Sequence, residues 1–66
     1  MTYSVHVFRK ENNKLLYVWV EDISSLEEAM KTGLELADTF DQIEIYVGNA
    51  LCYVADRYTN FDFITI

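Results

Sequence analysis

Hydrophobic and polar positions alternate with a period of two over Thr2–Arg9. Tyr3, Val5 and Val7 fall on one side and Ser4, His6 and Phe8 on the other, the pattern of a strand. The next run, Leu15–Glu21, is rich in β-branched and aromatic residues, which suit a pleated surface. Between them lies Glu11-Asn12-Asn13-Lys14. Asparagine tolerates positive φ, so Asn12-Asn13 predicts a two-residue type I′ turn. That turn sets a register. Val7 opposes Val18, Val5 opposes Val20 and Arg9 opposes Leu16 on an aliphatic face. His6 opposes Trp19 and Phe8 opposes Tyr17 on an aromatic one.

After Asp22-Ile23 the period becomes helical. Ser25 followed three residues on by Glu28 is a capping-box pattern, with Ser24 and Glu27 as the alternative frame. Leu26, Ala29, Met30, Gly33, Leu34, Leu36, Ala37 and Phe40 share one arc of a helical wheel, and Glu27, Glu28, Lys31, Thr32, Glu35, Asp38 and Thr39 the opposite arc. This predicts an amphipathic helix of about four turns. Gly33 near the middle of the apolar arc costs up to ~1 kcal/mol relative to Ala, and close approach of the helix to a sheet is the expected compensation.

A second hairpin follows. Ile43, Ile45 and Val47 alternate with Glu44 and Tyr46, and Gly48-Asn49 signals a two-residue I′ or II′ turn into Ala50–Ala55. Pairing outward from the turn joins Val47 to Ala50, Ile45 to Cys52 and Ile43 to Val54. The reverse face joins Tyr46 to Leu51 and Glu44 to Tyr53. The tail Phe61–Ile66 also reads as a strand, apolar on both faces. It either completes the sheet edge or pairs with another chain through Phe61, Phe63 and Ile64. The expected fold is a single α+β domain spanning residues 1–66: two β-hairpins forming a small antiparallel sheet (ββαββ, with room for a fifth, C-terminal strand) in the order 2-1-3-4, and one amphipathic helix packed on the aliphatic face.

Four strands span about 14–19 Å, and one helix of ~10–12 Å diameter covers a single face. His6, Phe8, Tyr17, Trp19, Tyr46, Leu51 and Tyr53 are left on the other as a partner or dimer interface. A domain of 66 residues with one cysteine has no disulfide framework to compensate for a small core. Association with a second copy is therefore expected, with two-fold symmetry as the default.

Composition narrows the function classes. The chain is 52% hydrophobic with no proline, which excludes a disordered tail. It has no apolar run long enough to span a membrane, and its start lacks a signal-peptide pattern. A soluble protein of the cytoplasm, bacterial or that of an infected host cell, is expected. The net charge is −6, distributed as +2 over residues 1–20, −7 over 21–44 and −1 over 45–66. Such a field repels phosphate backbones, so direct nucleic-acid binding is disfavoured, and it attracts a basic protein surface. Glu27, Glu28, Glu35 and Asp38 form the candidate docking stripe.

Chemistry is thinly represented. His6 and Cys52 are the only nucleophile–base candidates, and the register places them on opposite faces, with Cys52 in the core. Two His or Cys ligands in total fall short of a zinc site, and no glycine-rich phosphate loop is present. No cofactor, metal or catalytic residue is therefore assigned. The expected function is a non-enzymatic, homodimeric interaction module that blocks a bacterial defence or nucleic-acid-processing protein. In size, acidity and lack of catalytic groups the chain is similar to small phage-encoded inhibitors of bacterial defence proteins. Alternatives are an adaptor or antitoxin-like regulatory subunit, and a small ligand-binding or enzymatic dimer with His6, Tyr17 or Tyr53 lining its cleft.

Overall fold

The computed structural model describes all residues, 1–66. Strands β1 (Tyr3–Glu11) and β2 (Lys14–Ile23) form the first hairpin. Asn12 and Asn13 close it with φ of 51° and 65°, both positive as a type I′ turn requires. The register is the expected one, with Val7 opposite Val18, His6 opposite Trp19 and Phe8 opposite Tyr17. Near the far end the ladder shifts: Val5 pairs with Val20 but Tyr3 pairs with Ile23. The extra residue in β2 is accommodated at Asp22, whose φ is +61°. This β-bulge changes the parity of the strand, so that Ile23 is buried in the core.

Helix α1 spans Leu26–Leu36. Ser25 is the N-cap: its Oγ accepts a hydrogen bond from the Glu28 amide at 3.1 Å, satisfying one of the amides a helix start leaves open. The helix is a turn shorter than its apolar periodicity predicts. The Thr39 amide and hydroxyl both bond to the Leu36 carbonyl, at 3.1 and 3.2 Å. That turn ends the helix while Ala37 and Phe40 still pack on the core.

Strands β3 (Gln42–Val47) and β4 (Ala50–Asp56) form the second hairpin, and β5 (Ile64–Thr65) follows a single 3-10 turn at Arg57–Thr59. The sheet order is β2-β1-β3-β4-β5, antiparallel throughout. Gly48 has φ of +59° and Asn49 is not in the positive region, the type II′ choice. Val47–Ala50 and Tyr46–Leu51 pair as expected, but Ile45 then faces Tyr53, Glu44 faces Val54 and Ile43 faces Ala55. Cys52 is the inserted residue of a second bulge. The expected pairings of Ile45 with Cys52, Ile43 with Val54 and Glu44 with Tyr53 are thus corrected by one position. The parity flip carries Tyr53 and Ala55 to the helix side and Val54 to the open side.

The C-terminal strand completes its own sheet. Val54 pairs with Ile64 and Tyr53 with Thr65, while Phe61 and Phe63 pack against the core. Of the two roles expected for the tail, the structure shows the first, completion of the sheet edge, through Ile64 and Thr65. Asp56 caps the 3-10 turn by accepting from the Thr59 amide at 2.8 Å, and Arg57 is anchored to Asp41 at 2.7 Å.

The core is Val5, Val7, Ile43 and Ile45, all fully buried, with Ile23, Ala29, Ala37 and Ala55. Gly33 sits directly on it. A Cβ at this position would lie 2.8 Å from Ile43 Cγ2 and 3.5 Å from Val5 Cγ1. Ile43 is β-branched and enclosed, so that methyl has nowhere to go.

Gly33→Ala is therefore expected to destabilise the protein by about 1–2 kcal/mol. Overpacking of roughly 1–3 kcal/mol outweighs a helix-propensity gain of at most ~1 kcal/mol. Denaturant unfolding of a double-mutant cycle checks the cause: with Ile43→Ala, the combined loss should be smaller than the sum of the two single losses. Additivity would show that the close approach is not what selects glycine.

Candidate protein-interaction surface

The face of the sheet opposite α1 carries a connected set of rings. Phe8 and Tyr17, directly opposite across β1 and β2, stack at 4.8 Å between centroids. Tyr17 and Trp19 stack at 5.2 Å. His6 lies beside Tyr17 at 5.6 Å and meets Tyr46 edge-on at 4.6 Å. Cross-strand aromatic pairs of this kind contribute roughly 0.5–1.5 kcal/mol beyond burial, so the rings support one another as a continuous platform. Leu51 extends it across β4, opposite Tyr46. Nothing packs over it: Trp19 is 52% exposed and Tyr17 41%.

Polar groups thread the platform and are paired with one another. The two nitrogens of His6 bond to Ser4 Oγ (from Nε2, at 3.1 Å) and to the Tyr17 hydroxyl (from Nδ1). A neutral imidazole donates from one nitrogen and accepts at the other, and both hydroxyls can complement it. The indole N–H of Trp19 donates to Glu21 Oε1 at 3.1 Å. The Tyr46 hydroxyl donates to Glu44 Oε1 at 3.0 Å, and Gln42 donates to Glu44 Oε2 at 3.3 Å. Two carboxylates are thereby oriented within an aromatic field. Because Glu44 accepts the Tyr46 hydrogen bond, and because the phenol is partly desolvated, the Tyr46 pKa is raised above its ordinary value.

Of the expected face residues, the structure brings together His6, Phe8, Tyr17, Trp19, Tyr46 and Leu51. It removes Tyr53, which the Cys52 bulge turns toward the core. The cleft expected to combine His6, Tyr17 and Tyr53 is therefore divided between two faces. Cys52 is only partly buried, its Sγ 3.5 Å from the Ala50 carbonyl; the expectation of a core cysteine is corrected by the same bulge. Glu27, Glu28 and Glu35 on α1, and Asp38 in the turn that follows it, are all exposed. The acidic stripe and the rings thus lie on opposite sides of the molecule.

One feature of the surface was not anticipated. Leu16, Val18 and Val20 belong to the aliphatic face yet remain 37%, 42% and 36% exposed. α1 is about 16 Å long, whereas the ten-residue β2 runs about 33 Å. The helix packs on β1 and β3 and scarcely touches β2. The comparison of helix width with sheet width was the available signal.

No helix is long and apolar enough to cross a membrane. Comparison with known proteins finds no family model, no curated protein and no solved structure that matches the chain.

The Tyr46–Glu44 contact has a signature in alkaline titration. With its folded pKa raised, Tyr46 stabilises the fold fully below the unfolded tyrosine pKa, and that contribution is lost as pH climbs through the folded value. Tyrosinate absorbance should show one of the five tyrosines ionising after the rest. Tyr46→Phe should delete this late phase and Glu44→Gln should advance it. A late phase surviving in Tyr46→Phe would assign it elsewhere.

Proposed function

We propose that the chain is a non-enzymatic interaction module whose open sheet face binds a basic protein surface. The observation that carries this reading is the pairing of rings with fixed carboxylates: Trp19 with Glu21 and Tyr46 with Glu44. An arginine guanidinium stacks on an aromatic face and donates two parallel hydrogen bonds to a carboxylate. This platform offers both at once. Binding energy at interfaces concentrates in Trp, Tyr and Arg at desolvated centres, and the net charge of −6 speeds encounter with a cationic partner.

Such a module acts by occupation. Its partner is a protein whose basic surface otherwise takes nucleic acid, and covering that surface blocks it. This is the mode of the phage-encoded inhibitors to which the chain is similar in size and acidity. The acidic stripe, facing the other way, contributes long-range attraction rather than contact. The cytoplasm, where nucleic-acid-processing proteins work, is the proposed location.

An isotope-labelled sample titrated with an arginine-rich peptide tests the reading by NMR. The Trp19 indole and the amides around His6, Tyr17 and Tyr46 should shift, and Tyr17→Ala with Trp19→Ala should abolish the response. Raising salt from about 0.05 to about 0.5 M should weaken but not eliminate binding, since screening removes steering and leaves stacking. Shifts confined to Glu27, Glu28, Glu35 and Asp38 would move the recognition surface to α1 and overturn the proposal.

A further inference from the structure

Strand β2 is an open edge of unusual length. All of its residues except Ile23 are exposed. Natural edges are blunted by proline, by inward charges, by bulges or by brevity. The opposite edge uses brevity, since β5 is two residues long. β2 uses none of these over Leu15-Leu16-Tyr17-Val18-Trp19-Val20, which has no charge and no proline; its bulge comes only at Asp22. Both sides of this segment are apolar: Leu16, Val18 and Val20 beyond the reach of α1, Tyr17 and Trp19 on the ring face.

We infer that β2 pairs with β2 of a second copy, antiparallel about a two-fold axis through Val18. This contact uses the outward backbone of β2, whereas the platform uses the rings of Tyr17 and Trp19 on the same strand, and it does not depend on what the platform binds. The register follows from three conditions. The first is hydrogen bonding. The Phe8 carbonyl accepts from the Asp41 amide, so the even residues of β1 face β3 and the odd ones face β2. Val7, opposite Val18, therefore makes Val18 an inward-bonding residue, together with Leu16 and Val20. By alternation Leu15, Tyr17 and Trp19 present their N–H and C=O groups outward.

The second condition is the pleat. Directly opposite residues must lie on the same side of a sheet, so helix-side residues meet helix-side residues. Only registers that centre on a residue satisfy this. The third condition is the extent of the regular strand, which ends at the Asp22 bulge. Centring on Val18 sets Leu16 against Val20, Tyr17 against Trp19 and Leu15 against Glu21 between copies, and so keeps the whole ladder within Leu15–Glu21. Centring on Trp19 runs the ladder into Asp22, and centring on Tyr17 sets Lys14 against Val20. The Val18 register alone stays clear of the bulge and keeps Lys14 out of the apolar middle. Outward Tyr17 and Trp19 then form the ladder bonds, and Val18 meets its own copy as a close, non-hydrogen-bonded pair. The result is a continuous ten-stranded sheet with both helices on one side and a doubled ring platform on the other.

The self-opposition of Val18 makes the test specific. Light scattering coupled to size exclusion should find the wild type as a dimer. Val18→Lys and Val18→Glu, each placing like charges on the axis at an exposed site, should raise the dissociation constant about a hundredfold or more. An equimolar mixture of the two should recover a dimer. In a Cys52→Ser background, mild oxidation of Val18→Cys should close a disulfide between copies. Leu16→Cys should not, since Leu16 faces Val20 of the other copy. Leu51→Ala, on the ring face but on β4, three strands from the edge, should leave the dimer intact. A monomeric wild type, larger polydisperse species, or a dimer lost in Leu51→Ala but kept in Val18→Lys would overturn the inference. Peptide binding is read separately by the Trp19 indole shift, so failure of the dimer and failure of the platform are distinguishable.

Discussion

A helix can lie against a sheet only as closely as its innermost side chain permits, and here that side chain is absent. Gly33 rests on Ile43 and Val5 with no space for a methyl group. This contact fixes α1 over β1 and β3, the two central strands. A helix held there cannot also cover β2, and being single it cannot cover the reverse face. The buried core, the open rings and the unshielded edge are therefore three results of one placement. Moving the helix toward β2 would expose Ile43 and Ile45, which are now sealed from water.

Much of this was legible in the chain. The Asn12-Asn13 turn, the register of the first hairpin and the Ser25 cap all follow from local chemistry, because each depends on residues close in sequence or on a single backbone conformation. Gly33 was legible differently: a glycine is costly in a helix interior, so its place in the apolar arc pointed to the close approach to Ile43 and Val5. What strict alternation could not supply were the two bulges. A period of two assumes no insertion, and neither Asp22 nor Cys52 carries a glycine to announce one. At Asp22 the error was small, since Ile23 ends the strand. At Cys52 it turned Tyr53 and Val54 to the wrong sides and so altered the composition of the candidate surface. The lateral position of α1 was likewise hidden. Helical periodicity says which arc of a helix is buried, but not over which strands it settles; Leu34, placed in the apolar arc, is 46% exposed.

Charge and rings separate more cleanly in space than along the chain. Residues 21–44 contain most of the acids, yet α1 and the turn after it hold Glu27, Glu28, Glu35 and Asp38 away from the rings while Glu21 and Glu44 stay among them. The two groups face different electrostatic surroundings. Those on α1 and its following turn are free in water, where screening limits their reach to about 8–10 Å at physiological salt. Glu21 and Glu44 are held by indole, phenol and amide donors and are already oriented before any cation arrives. Preorganisation of this sort reduces the ordering cost of association.

The strand order also has a kinetic consequence. Each hairpin is closed by two residues and can form within microseconds. The β1–β3 seam instead joins Tyr3 to Val47 and Val5 to Ile45, so the chain must loop through β2 and α1 before the first of those pairs exists. Loop-closure entropy falls almost wholly on that one step. The barrier to acquiring the native topology thus resides in the middle of the sheet, and the two hairpins behave as preformed halves waiting for the helix to bring them into line.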